Sequence, residues 1–209
     1  LQKHVSRTQS FVNRFAFEQY NKILDGLAKE SISMLGKSHR ELRDEQEQLK
    51  KFRRKELLAF RRVPVSIAVE RNTWYHLGVN SDEQFIYCLK RMLEPIKEHV
   101  DNNFNPLPKL YVEELATIRK SVAELMGRTE KMLSSCDFTG YEQVLVDADK
   151  VKDELSVIRK RHYDRMHSDH DDKNIKISLV YLNIIQETQE FLSIMRHQLR
   201  AGSRFFGNL

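Results

Sequence analysis

The chain has 209 residues, of which 40% are hydrophobic and 31% charged, so it can build a packed core, while a mean hydropathy of −0.58 argues against a membrane-embedded chain. Thirty-five Lys and Arg face 30 Asp and Glu, a densely mixed surface of formal charge +5, and no nucleic-acid partner is expected from it. Seven Gly and four Pro leave turn residues scarce against a background of helix formers, which reads as all-α.

The spacing predicts six helices. The first covers residues 10–35, with Phe17, Tyr20, Leu24, Leu27 and Met34 recurring at helical intervals and Gly36 as its stop. The second covers 38–62. It opens on Ser38 three residues before Glu41, a capping-box pattern, and has a thin stripe of Leu42, Leu49, Phe52, Leu57 and Phe60. Residues 63–80, with Pro64, Trp74 and Gly78, lack a clear period and read as a connector. The third helix, 81–103, turns Phe85, Leu89, Met92, Ile96 and Val100 inward, and Pro95 should bend it.

Asn105-Pro106-Leu107-Pro108 then breaks the chain near its midpoint. Three further helices follow. They span 109–133 (Leu115, Ile118, Val122, Leu125, Met132), 141–167 (Val144, Ala148, Val151, Leu155, Ile158) and 173–204 (Ile177, Tyr181, Ile184, Phe191, Met195). The expected fold is an antiparallel helical bundle in which one domain, 1–209, holds two tandem three-helix units, 10–104 and 109–206. Cys88 and Cys136 lack metal-ligand spacing and read as free thiols, as in a reducing compartment. The most apolar stretch, 175–185, is interrupted by Lys176, Ser178 and Asn183 and is too short to span a bilayer. The start at Leu1, with no signal segment, suggests a piece of a longer protein.

Several clusters could carry chemistry. Glu94 and Glu98 lie one turn apart on one helix face, and Asp149 and Asp153 repeat that spacing on the fifth helix. Two carboxylates so placed can share a hard cation, and an all-oxygen site would favour Mg, Mn, Ca or Fe over Zn. The alternative is a solvated face neutralised by neighbouring lysines. His162, His167 and His170, with Asp164, Asp169, Asp171 and Asp172, are either a metal cluster or charges that suit two helix ends. Basic runs at 50–55, Arg61-Arg62, 159–161 and Arg196, Arg200, Arg204 could meet phosphate groups, flank an inner membrane leaflet, or face solvent. No nucleophile elbow, phosphate-binding Gly loop or His-Glu-x-x-His pair occurs, so the chain is not expected to be an enzyme.

Leu93-Glu94-Pro95-Ile96-Lys97-Glu98-His99-Val100 is similar to the Leu-Glu-Arg-Ile-Gly-Asp-His-Ala segment of PhoU proteins. With Asp101-Asn102-Asn103 it resembles the version in PhoU-like tails of bacterial Na⁺/phosphate cotransporters. The run from Leu179 to Glu190, followed by Arg196-His197-Gln198-Leu199-Arg200-Ala201, resembles the closing helix of those tails. The resemblance implies two three-helix bundles on the cytoplasmic face of the inner membrane, attached to the transmembrane core of the same transporter. It also implies metal-holding Glu/Asp-x-x-x-Asp motifs. Glu94 with Glu98 fits that form with Glu in the second place, and Asp149 with Asp153 fits it on the fifth helix, whereas Glu190 is followed by Ile194 and Glu45 by Leu49.

The reading is thus a non-catalytic regulatory domain of a sodium-dependent phosphate transporter, contacting that core, a second copy of itself in a homodimer, or a phosphate-signalling partner. Divalent metal or iron at the carboxylate pairs is its candidate cofactor. A free-standing helical scaffold or PhoU-type regulator, and a ferritin-like metal-binding bundle, are the rival readings.

Overall fold

Glu30 and Ser31, and not Gly36, divide the first two helices. The computed structural model describes residues 1–168 and 174–207, and helix α1 runs over Gln2–Ala28, followed by α2 over Ile32–Phe60. Glu30 adopts a left-handed φ of 50°. The N–H groups of Ser31 and Glu30 donate back to the carbonyls of Gly26 and Leu27, the paired bonds that close a helix C-terminus. Ser31 then caps α2 by accepting from the Met34 amide at 3.2 Å. The stop expected at Gly36 and the capping box at Ser38 are therefore corrected: Gly36 lies inside α2, and Ser38 is a buried mid-helix residue. The cause is a left-handed position filled by Glu where Gly is the usual signal.

The connector expected at 63–80 is also corrected. Helix α3 runs unbroken over Val65–Asp101, starting directly after Pro64, whose extended backbone presents its carbonyl to the Ala68 amide. Its first turns lack a clear apolar stripe because they pack only lightly on the rest of the fold, and residues 61–73 contain no buried side chain. Helix α3 continues through Pro95. Helices α4 (Lys109–Ser135), α5 (Tyr141–Ser168) and α6 (Ile175–Phe206) lie close to their expected ranges. The described residues hold six helices and no strand, and none of these helices is long and apolar enough to cross a membrane.

Within each run of three, every helix touches the other two: α1, α2 and α3 form one bundle, and α4, α5 and α6 another. The bundles join through counterparts, α1 against α4 and α3 against α6, with a smaller contact of α1 on α6. Phe85 and Tyr20 both pack on Phe191 with ring centroids 5.1 Å apart, so the interior is shared across the seam. Tyr20 spends its buried hydroxyl on Thr188 Oγ1 at 3.0 Å. Phe85, Ile118 and Ile184 are buried as the stripes require, while Leu57, expected inward, is exposed on the outer end of α2.

Candidate functional site

The carboxylate pairs singled out by spacing are on the surface. Glu94 is exposed, with Oε1 3.8 Å from His39 Nδ1 of α2, and Glu98 is exposed one turn further along α3. On α5, Asp149 accepts from Arg196 at 3.1 Å, and Asp153 is exposed. Helices α3 and α5 do not touch, so the fold leaves the two pairs on separate faces. Among the described residues, no three His, Cys, Asp or Glu side chains gather where one metal ion could be held.

The histidine cluster is likewise spread out. His167 is exposed and bonded to the Tyr163 carbonyl, whereas His162 is fully buried, with Nε2 2.8 Å from the Ser178 carbonyl. Burial holds the His162 imidazole below its ordinary range, and nearby Arg165 adds to the effect. Asp169, His170, Asp171 and Asp172 lie outside the described residues.

Around His162 the second bundle builds a polar-aromatic corner. Tyr111 and Tyr181 stack at 4.3 Å, with the His162 edge on both. Glu114, nearly sealed, accepts from Arg165 at 2.9 Å and from the Tyr181 hydroxyl at 3.2 Å, with Arg161 at 3.5 Å. Burial and the adjacent Glu114 carboxylate raise the Tyr181 phenol. An open cleft of about 510 Å³ lies alongside, lined by Tyr111, Arg165, Met166 and Ser178 among others. Its guanidinium is already committed to Glu114.

The first bundle holds a buried polar centre at the seam. Asp82 of α3 accepts from Gln9 Nε2 of α1 at 2.7 Å and from Gln198 Nε2 of α6 at 3.3 Å. Gln198 also donates to Gln9 Oε1 at 3.1 Å and accepts from Asn13 at 3.0 Å. All four side chains are buried. Burial pushes the Asp82 carboxyl well above the usual range, and the Glu56 charge adds to it against the hydrogen bonds from Gln9 and Gln198. Glu56, buried on α2, is itself raised by burial and has one oxygen without a hydrogen-bond partner in the protein. Two cavities of about 10 Å³ flank these groups, room for a single water and for no substrate. The arrangement is thus suited to fixing the register of α1, α3 and α6 rather than to acting on a ligand.

Sequence reasoning passed over Asp82, Glu56, Gln9 and Gln198. A signal was present: Asp82 precedes Phe85 and Leu89 by three and seven residues, so a carboxyl stands on the core stripe itself. Glu45 is a second such case, buried on α2 between Leu42 and Leu49, with its carboxyl pushed up to about 7 by desolvation. Cys88 is a buried thiol, held well above its ordinary range by desolvation first and by Glu187 second. No protein-family profile matches the chain, and no curated protein matches it.

Proposed function

We propose that the chain is a regulatory domain that works through protein contacts and not by catalysis, the PhoU-like cytosolic part of a bacterial sodium-dependent phosphate transporter. The observation that supports this reading is the seam. The two segments that resemble PhoU-like tails lie on α3 and α6, which pack along each other, with Leu93 and Ile96 on one side and Ile184 and Ile185 on the other all buried. Two three-helix bundles in one domain is the architecture that this resemblance implies.

In this reading the double bundle presents its charged outer faces to the transmembrane core or to a second copy, and differential contact with two transporter states biases one of them. The reading is tested by the coding sequence upstream of Leu1 and by the cell fraction in which the native product is found. The expected result is an upstream frame encoding membrane-spanning segments, with the product retained in alkali-washed membranes. An upstream frame with no such segment, or a product wholly released by the wash, overturns the transporter assignment.

A further inference from the structure

The positive charge of this chain is concentrated in one place. Residues 50–77, the end of α2 and the start of α3, hold eight Lys and Arg against two Asp and Glu, so the other 181 residues hold 27 against 28. One of the two acids, Glu56, is buried and held toward its neutral form. Elsewhere most of the arginines in the basic runs have partners within the fold: Arg159 bonds Gln189, Arg161 meets Glu114, Arg196 meets Asp149 and Arg204 lies over the Trp74 ring. At the hairpin, Lys50 and Arg53 pair with Glu47 and Glu83, but Lys51, Arg54, Lys55, Arg61 and Arg62 have no ion-pair partner among the described residues. Five free cations therefore crowd one end of the molecule.

The same end is apolar. Val65 and Val69, one turn apart on α3, are 79% and 72% exposed, and Leu58, one turn from Arg54 on α2, is 52% exposed. The last buried layer is Phe60 against Tyr75, with rings 4.7 Å apart. Val65 stands ten residues beyond Tyr75, or about 15 Å along a helix. The tip thus projects past the core, with aliphatic side chains and guanidinium groups together in water.

We infer that the α2–α3 tip is a docking surface for an anionic membrane leaflet. Arg54, Arg61 and Arg62 would meet lipid phosphates while Leu58, Val65 and Val69 enter the headgroup boundary. Each cation near such a surface adds to the attraction, and aliphatic side chains add an attraction that a purely basic patch lacks. Nucleic acid would use the charges but gain nothing from exposed valines and leucine, whose burial needs an apolar environment. The inference needs no transporter and stands apart from the proposed function.

The test is co-sedimentation of the 209-residue chain with vesicles of phosphatidylcholine alone and with equal parts of phosphatidylcholine and phosphatidylglycerol. The expected result is binding to the anionic vesicles only, weakened by salt. Arg61→Glu with Arg62→Glu should lower it about tenfold or more, and Val65→Asp with Val69→Asp should lower it comparably. Arg159→Glu with Lys160→Glu, a charge change of the same size on α5, should leave tip binding nearly intact. All six positions are at or near the surface, and circular dichroism checks that each variant keeps its helices. Failure to bind anionic vesicles, equal loss in the α5 variant, or binding of duplex nucleic acid that survives the valine substitutions each overturns the inference. Because the vesicles contain no transporter, such a failure leaves the proposed function standing.

Discussion

Asn183 of α6 donates its side-chain amide to the backbone carbonyl of Arg91 at 3.0 Å, and Arg91 stands four residues before Pro95. In an unbroken helix the amide of residue 95 would fill that carbonyl. Proline has none to give, and the neighbouring helix supplies the donor. One side chain thereby satisfies the acceptor that the proline frees and ties the two bundles together.

A coupling follows. Asn183→Ala should cost about 0.5–1 kcal/mol of unfolding free energy in the native background. In a Pro95→Ala background the restored amide serves Arg91, and the same change should cost a few tenths at most. Urea melts of the four proteins measure this, and equal costs in both backgrounds contradict it.

The α1–α2 turn makes two predictions of opposite sign. Glu30 carries a φ of 50°, so Glu30→Gly should stabilise by about 0.5–1 kcal/mol, the relieved left-handed strain exceeding the entropy that glycine adds to the unfolded chain. A Cβ on Gly26 would stand 2.6 Å from Leu35 Cδ2, so Gly26→Ala should destabilise by about 1–3 kcal/mol. Thermal melts that moved both variants the same way would count against this turn.

Buried carboxyls set the pH dependence. The folded-state pKa of Glu45, about 7, and that of Asp82 both lie above the unfolded values, so the folded chain binds more protons between the two. The contribution of these two carboxyls to stability should then fall as pH rises from about 4.5 towards 7, opposed in part by the lowered His162, with the Glu45 penalty fully present above 7. Glu45→Gln should stabilise by about 1–2 kcal/mol at pH 8, allowing for solvent screening, and by nearly nothing at pH 4. Denaturant midpoints across that range measure it, and a constant benefit at all pH values would contradict the assignment.

Glu114 gathers the second bundle's polar corner. Glu114→Ala should leave Arg165 and the Tyr181 hydroxyl without their partner and cost about 1–3 kcal/mol, more than Arg161→Ala, whose side chain is largely solvated. Equal losses in the two variants would show that the carboxylate is not the centre of the group.

How far the sequence could be read depended on what each segment packs against. Phe85, Leu89 and Met92, or Ile177, Tyr181 and Ile184, sit in a shared interior, and their helical periodicity is the direct trace of that burial. The start of α3 left no such trace because Val65, Ile67 and Val69 all remain exposed, so a regular helix looked like a connector. Glu30 hid a turn because it occupies a position where glycine is the usual mark. The carboxylate pairs were legible as spacing, but spacing on one helix does not fix which helices meet, and α3 and α5 do not. Asp82 and Gln198 are 116 residues apart, and what joins them is the α3–α6 packing, which no local pattern encodes.

The regulatory reading is tested most directly by sodium-driven uptake of radiolabelled phosphate in cells that produce the native protein with or without residues 1–209. The expected result is sodium-dependent uptake in both, with a rate or a response to external phosphate that changes when the domain is removed. Uptake that is identical in both, or no sodium-dependent phosphate uptake from either, would contradict it.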